Sequence, residues 1–113
     1  MSITIYHNTR CSKSRGALQI LEEKGIPYKV HLYLQEPLSS TELKALLKKL
    51  NMQPSELLRK GEEIYKTLKA TPHTEEQWLE EMVQHPQLIE RPIVVKGDKA
   101  IVARPPERVL EIL

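Results

Sequence analysis

An α/β fold built on a four-stranded mixed sheet is what this chain predicts, and three observations predict it. The first thirty-odd residues read as strand, helix, strand; the middle carries only helical periodicity; and the last quarter returns to alternating β-branched residues around a tight turn before a final helix. Ser2 to Tyr6 places Ile3 and Ile5 on one face of a short strand. After Cys11, Ala17, Leu18 and Leu21 recur at helical spacing, and Gly25 followed by Pro27 fits a C-terminal cap and a stop. Tyr28 to Leu34 (YKVHLYL) reads as a second strand. A helix between two strands makes a βαβ unit, so these two strands should be parallel.

The middle helix is marked by Leu43, Leu46, Leu47 and Leu50, with Ser39 and Glu42 spaced as a capping box. Short helical segments follow around Pro54 to Arg59 and Glu62 to Leu68. Thr74 and Gln77 repeat the capping-box spacing ahead of Trp78, Leu79, Met82 and Val83, and Pro86 ends that helix. PIVVKGDKAIVA then reads as two strands joined by Gly97-Asp98, a hairpin of the Gly-first kind. PERVLEIL closes the chain as a helix with Val109, Leu110 and Leu113 on its apolar face. The order β-α-β, helical insert, β-β-α is that of a thioredoxin-like domain. One domain over 1–113, with a helical insert at 39–86, is the expected organisation, since 113 residues suffice for one core and not two.

Charged residues make up 28% of the chain, with 17 Lys and Arg against 15 Asp and Glu, a formal balance of +2. No basic run or aromatic-interleaved patch stands out, so nucleic acid is not an expected partner. MSITIYHN lacks a basic segment with an apolar run behind it, and no stretch approaches membrane-spanning length. A soluble cytoplasmic monomer that does not engage membranes is the expectation. The single cysteine excludes an intramolecular disulfide and the usual zinc spacings, so no metal is expected.

Cys11 falls where a strand hands over to a helix, whose first N–H groups are free and whose dipole favours an anion. With His7, Arg10, Lys13 and Arg15 nearby, a thiol there is drawn toward thiolate. The alternative, a small buried hydrophobe, fits poorly with so polar a neighbourhood. A thiol phosphatase would need an arginine separated from Cys11 by five residues, and Arg15 follows it by only four positions. A dithiol oxidoreductase would need a cysteine where Ser14 stands, and a hydroxyl cannot resolve a mixed disulfide. Any redox cycle must therefore borrow its other thiols.

The hairpin adds a second feature. A two-residue turn at Gly97-Asp98 sets Lys96 opposite Lys99, Ile93 opposite Val102 and Arg91 opposite Arg104. Like charges held face to face are destabilising. Either both ends fray into water or pair with Glu90 and Glu107, or the two guanidinium groups share an oxyanion.

ITIYHN, Cys11 with Ser14-Arg15, YL-x-x-P at Tyr33 to Pro37, LLRK at Leu57 to Lys60, QHP at Gln84 to Pro86, and RPIVV with a later RP at Arg91 and Arg104 occur together and in order. In this the chain resembles the glutaredoxin-coupled arsenate reductases, and among them a short YfgD-like branch. The departures are Thr9 in place of the family's loop proline, and the Ser12-Lys13 pair. The resemblance implies a thioredoxin-like fold, a catalytic Cys11, a thiolate-favouring His7, and oxyanion binding by Arg59, Arg91 and Arg104, with Ser14 and Arg15 also at the substrate. It also places a cis proline at Arg91-Pro92. It implies no bound cofactor, glutathione as co-substrate and glutaredoxin as partner. Two other functions share these features: an Spx-like regulator binding RNA polymerase, which commonly carries the second cysteine missing here, and a glutathione-dependent thiol-transfer protein.

Overall fold

The computed structural model describes residues 3–7 and 12–113, without the side chains of 12–14. The chain forms two compact units, Met1–Glu36 with Arg91–Leu113, and Pro37–Glu90.

The first unit is a four-stranded sheet of β1 (Ile3–Tyr6), β2 (Tyr28–His31), β3 (Ile93–Lys96) and β4 (Lys99–Val102), with α1 (Ser12–Glu23) linking β1 to β2. The strand order is β2-β1-β3-β4. β1 pairs with β2 in parallel, as a helical crossover requires, and β3 pairs antiparallel with both β1 and β4. Alternation along β1 turns Ile3 and Ile5 to one face, where they form a core with Val94, Ala103, Ala17 and Leu21 of α1, and Val109. Burying these side chains is the main force holding α1 on the sheet. Gly25 takes a φ of 66°, and the N–H groups of Gly25 and Ile26 donate to the carbonyls of Glu22 and Leu21, each at 3.0 Å. That double bond pattern ends α1 in the left-handed turn glycine tolerates best.

The hairpin register is the one expected: Ile93 faces Val102 and Lys96 faces Lys99. Gly97 has a φ of 63°, the positive value that a Gly-first turn demands. Two expectations change. β2 stops at His31 instead of Leu34, because the Leu32 carbonyl accepts from the N–H groups of both Gln35 (2.9 Å) and Glu36 (2.8 Å), which folds the chain into a turn. The C-terminal segment is a 3-10 helix, Pro106–Glu111, which buries Val109 but leaves Leu110 47% exposed. Three residues per turn cannot keep 109 and 110 on one face.

The second unit holds α2 (Ser40–Leu50), α3 (Glu63–Leu68) and α4 (Glu75–Gln84), with 3-10 turns at Pro54–Leu57 and Pro86–Leu88. Both capping boxes form: the Ser39 and Thr74 hydroxyls accept from the N–H groups of Glu42 and Gln77, whose side chains accept from the cap N–H in return. α2 buries Leu43, Leu46 and Leu47 and packs on α4, which buries Trp78, Leu79 and Met82. An isolated antiparallel bridge joins Leu58 to Ile89. Among the described residues, no helix is long and apolar enough to cross a membrane.

Candidate active site

The carboxyl end of β1 is where the first unit gathers its polar chemistry. Tyr6 pairs with Ile93, and Ile93 with Val102, so the residues just beyond these pairs meet at one end of the sheet. They are His7, the Arg91-Pro92 pair and Arg104.

His7 continues the alternation of Ile3 and Ile5 and so falls on the α1 face, 5% exposed. Its N–H extends the ladder by donating to the His31 carbonyl at 3.0 Å. Among the described residues its ring Nδ1 is buried with no hydrogen-bond partner. Burial, and then the charge of Arg15 in the first turn of α1, hold its pKa below the ordinary histidine value. The imidazole is therefore neutral at pH 7, with one nitrogen open to a further partner.

Arg91 and Arg104 flank the open end of the hairpin. The Ala103 N–H donates to the Pro92 carbonyl at 2.9 Å, carrying the pairing one step past β3 and β4, and Arg104 Nη1 donates to the Arg91 carbonyl at 3.3 Å. Arg91 is 7% exposed. A guanidinium held out of water gains more from an anion than one in solvent does. Both Arg91-Pro92 and Arg104-Pro105 are cis peptides, the first as expected and the second not.

Cys11 lies outside the described residues, between His7 and the first residue of α1, and Ser14 is described for its backbone alone. Arg59 belongs to the second unit. Its N–H donates to the Leu88 carbonyl at 2.7 Å beside the Leu58–Ile89 bridge, and its Nη1 is 3.2 Å from Glu62 Oε1. The sequence does not single out that ion pair, since charges three apart are common on solvated turns. A stack in the same unit also went unread: His73 lies on Trp78 with ring centroids 4.1 Å apart, and Trp78 on Tyr65 at 5.6 Å. His73 Nε2 meets Glu81 at 3.1 Å beside a groove of about 590 Å³. None of the residues lining that groove is a candidate named from the sequence.

A β2-β1-β3-β4 mixed sheet entered through a parallel βαβ unit, with cationic residues collected at the carboxyl end of its first strand, defines a thioredoxin-like protein. Residues 6–112 match the ArsC family, and the chain belongs to that family. It is 46% identical to an arsenate reductase of Haemophilus influenzae, over 100% of both chains. It is 47% identical to the uncharacterized protein YfgD of Escherichia coli, over 98% of this chain and 96% of that one. Among solved structures, an arsenate reductase from Vibrio cholerae superposes with a TM-score of 0.94 at 45% identity, covering 100% of this chain and 98% of that one.

Proposed function

We propose that this protein reduces arsenate to arsenite through Cys11, using glutathione and glutaredoxin as the source of the remaining thiols. The observation that carries the proposal is full-length similarity, at 46% identity, to a protein named as an arsenate reductase. The geometry at the sheet end is consistent with it.

Arsenate is largely a dianion near neutral pH, and a thiolate approaches it only where positive groups offset the repulsion. Arg59, Arg91 and Arg104 are the residues assigned to supply that charge, each able to grip oxygens through a planar fork. Being neutral, His7 favours the Cys11 thiolate by donating an N–H, with Arg15 and the start of α1 adding the electrostatic pull. Ser14 and Arg15 contribute further hydrogen bonds to the bound anion.

The thiolate attacks arsenic and one oxygen leaves as water after protonation. Glutathione then adds its sulfur to arsenic with loss of a second water. The thiolate of glutaredoxin attacks the glutathione sulfur, a disulfide forms between them, and the electron pair of the broken arsenic–sulfur bond reduces arsenic to the trivalent state. Hydrolysis frees arsenite and returns Cys11. One cysteine suffices because the other two thiols come from outside.

The test is arsenate-dependent NADPH consumption with glutathione and glutathione reductase, run with and without glutaredoxin. Turnover that needs both arsenate and glutaredoxin supports the proposal. Turnover on a small mixed disulfide, and none on arsenate, would make the protein a thiol-transfer enzyme instead.

A further inference from the structure

Arg59 already holds a carboxylate, and the local fold puts it there. The Arg59 backbone is fixed by its N–H bond to Leu88 and the neighbouring Leu58–Ile89 bridge. The Glu62 N–H donates to the Arg59 carbonyl at 3.2 Å, closing a tight turn over Lys60 and Gly61 that brings the two side chains alongside each other. Glu62 stands at the N-cap of α3, where a side-chain acceptor would ordinarily take a helix N–H, yet it makes no such bond. Its Oε1 meets Arg59 Nη1 at 3.2 Å instead, with the two side chains 29% and 32% exposed. The pair uses one of five guanidinium donors, so the rest of the fork remains available to an anion.

We propose that Glu62 selects which oxyanions Arg59 accepts, admitting those that carry a proton and rejecting those that do not. The inference rests on Arg59 being an oxyanion ligand, as argued above. An ionised carboxylate can only accept hydrogen bonds. Hydrogen arsenate and hydrogen phosphate retain a proton at neutral pH and can donate it to Glu62 while their other oxygens bind Arg59. Sulfate has no proton to give, so beside Glu62 it meets a second acceptor of like charge and nothing in return.

Phosphate and sulfate are suitable probes because both are tetrahedral and neither is reduced by a thiol. Calorimetric titration of the whole protein with each, at neutral pH, yields a selectivity ratio. In Glu62→Gln that ratio should fall about tenfold, the low end for a hydrogen bond to a charged group because the site is partly exposed, with most of the change coming from tighter sulfate binding. A change of fold would alter both affinities together and leave the ratio alone. If Arg59→Ala weakens both anions while Glu62→Gln leaves the ratio unchanged, selection by Glu62 is overturned and Arg59 keeps its role. If Arg59→Ala changes neither affinity, Arg59 is not an anion ligand and the selection falls with it.

Discussion

Acidification should destabilise this protein through His7. The ring is 5% exposed, and burial followed by the charge of Arg15 holds its pKa below the ordinary value of about 6.5. The unfolded chain therefore takes up a proton at His7 at a higher pH than the folded protein does. The stability gained by keeping the ring neutral is complete above the unfolded value and is lost as pH falls from there through the folded one. Between those values the slope reaches about 1.4 kcal/mol per pH unit for one group. For a chain of 113 residues, with about 2.1 cal/mol/K of unfolding entropy per residue, that loss is worth about 6 °C in midpoint. Urea unfolding of the wild type and His7→Leu at about pH 7.5, 6.5 and 5.5 measures it, since the difference between the two isolates the contribution of His7. The wild type should lose ground to the variant only below about pH 6.5. A difference that stays flat through the acid range, or moves in the wild type's favour, would refute the reasoning, because the charged ring would then be as well accommodated as the neutral one.

Packing and capping give further expectations. A Cβ at Gly16 would lie 3.0 Å from Cγ of Pro106, so Gly16→Leu should cost about 1–3 kcal/mol in urea unfolding; no loss would mean α1 and the C-terminal 3-10 helix do not approach as described. Ser39→Ala and Thr74→Ala should each cost about 1 kcal/mol, read the same way, because each leaves a helix N–H without its cap. In oxyanion titrations Arg91→Ala and Arg104→Ala should weaken binding about tenfold or more, with the lysine variants recovering only part. Full recovery by lysine would argue for a point charge and against a fork.

Where local chemistry decides the structure, the sequence was readable. The capping boxes at Ser39 and Thr74 formed because cap and third residue are neighbours in the chain, and Gly97-Asp98 fixed the register that brings Arg91 and Arg104 to one end of the hairpin. β2 ends three residues short of Leu34 because the apolar alternation that runs on to Leu34 competes with a turn. That turn is held by the Leu32 carbonyl and by the His31 ring, whose Nε2 lies 2.6 Å from the Glu36 carbonyl. Neither bond leaves a periodic trace. The apolar spacing of the last helix suggests the α period, but with Pro105 at its cap and Pro106 as its first residue a 3-10 helix forms. At the site, His7, Arg91 and Arg104 could be placed from strand register alone. Glu62 could not be singled out, because charges three apart are common on solvated turns and its pairing depends on the bridge that anchors Arg59.

The central claim, that one thiol carries the chemistry, is tested most directly by measuring arsenite formed from arsenate by the wild type and by Cys11→Ser, with glutathione and glutaredoxin both supplied. A hydroxyl keeps the shape of the thiol but is a far weaker nucleophile at neutral pH. Arsenite production should be lost in the variant while its urea midpoint stays at the wild-type value. A serine variant that forms arsenite at the wild-type rate would contradict the account.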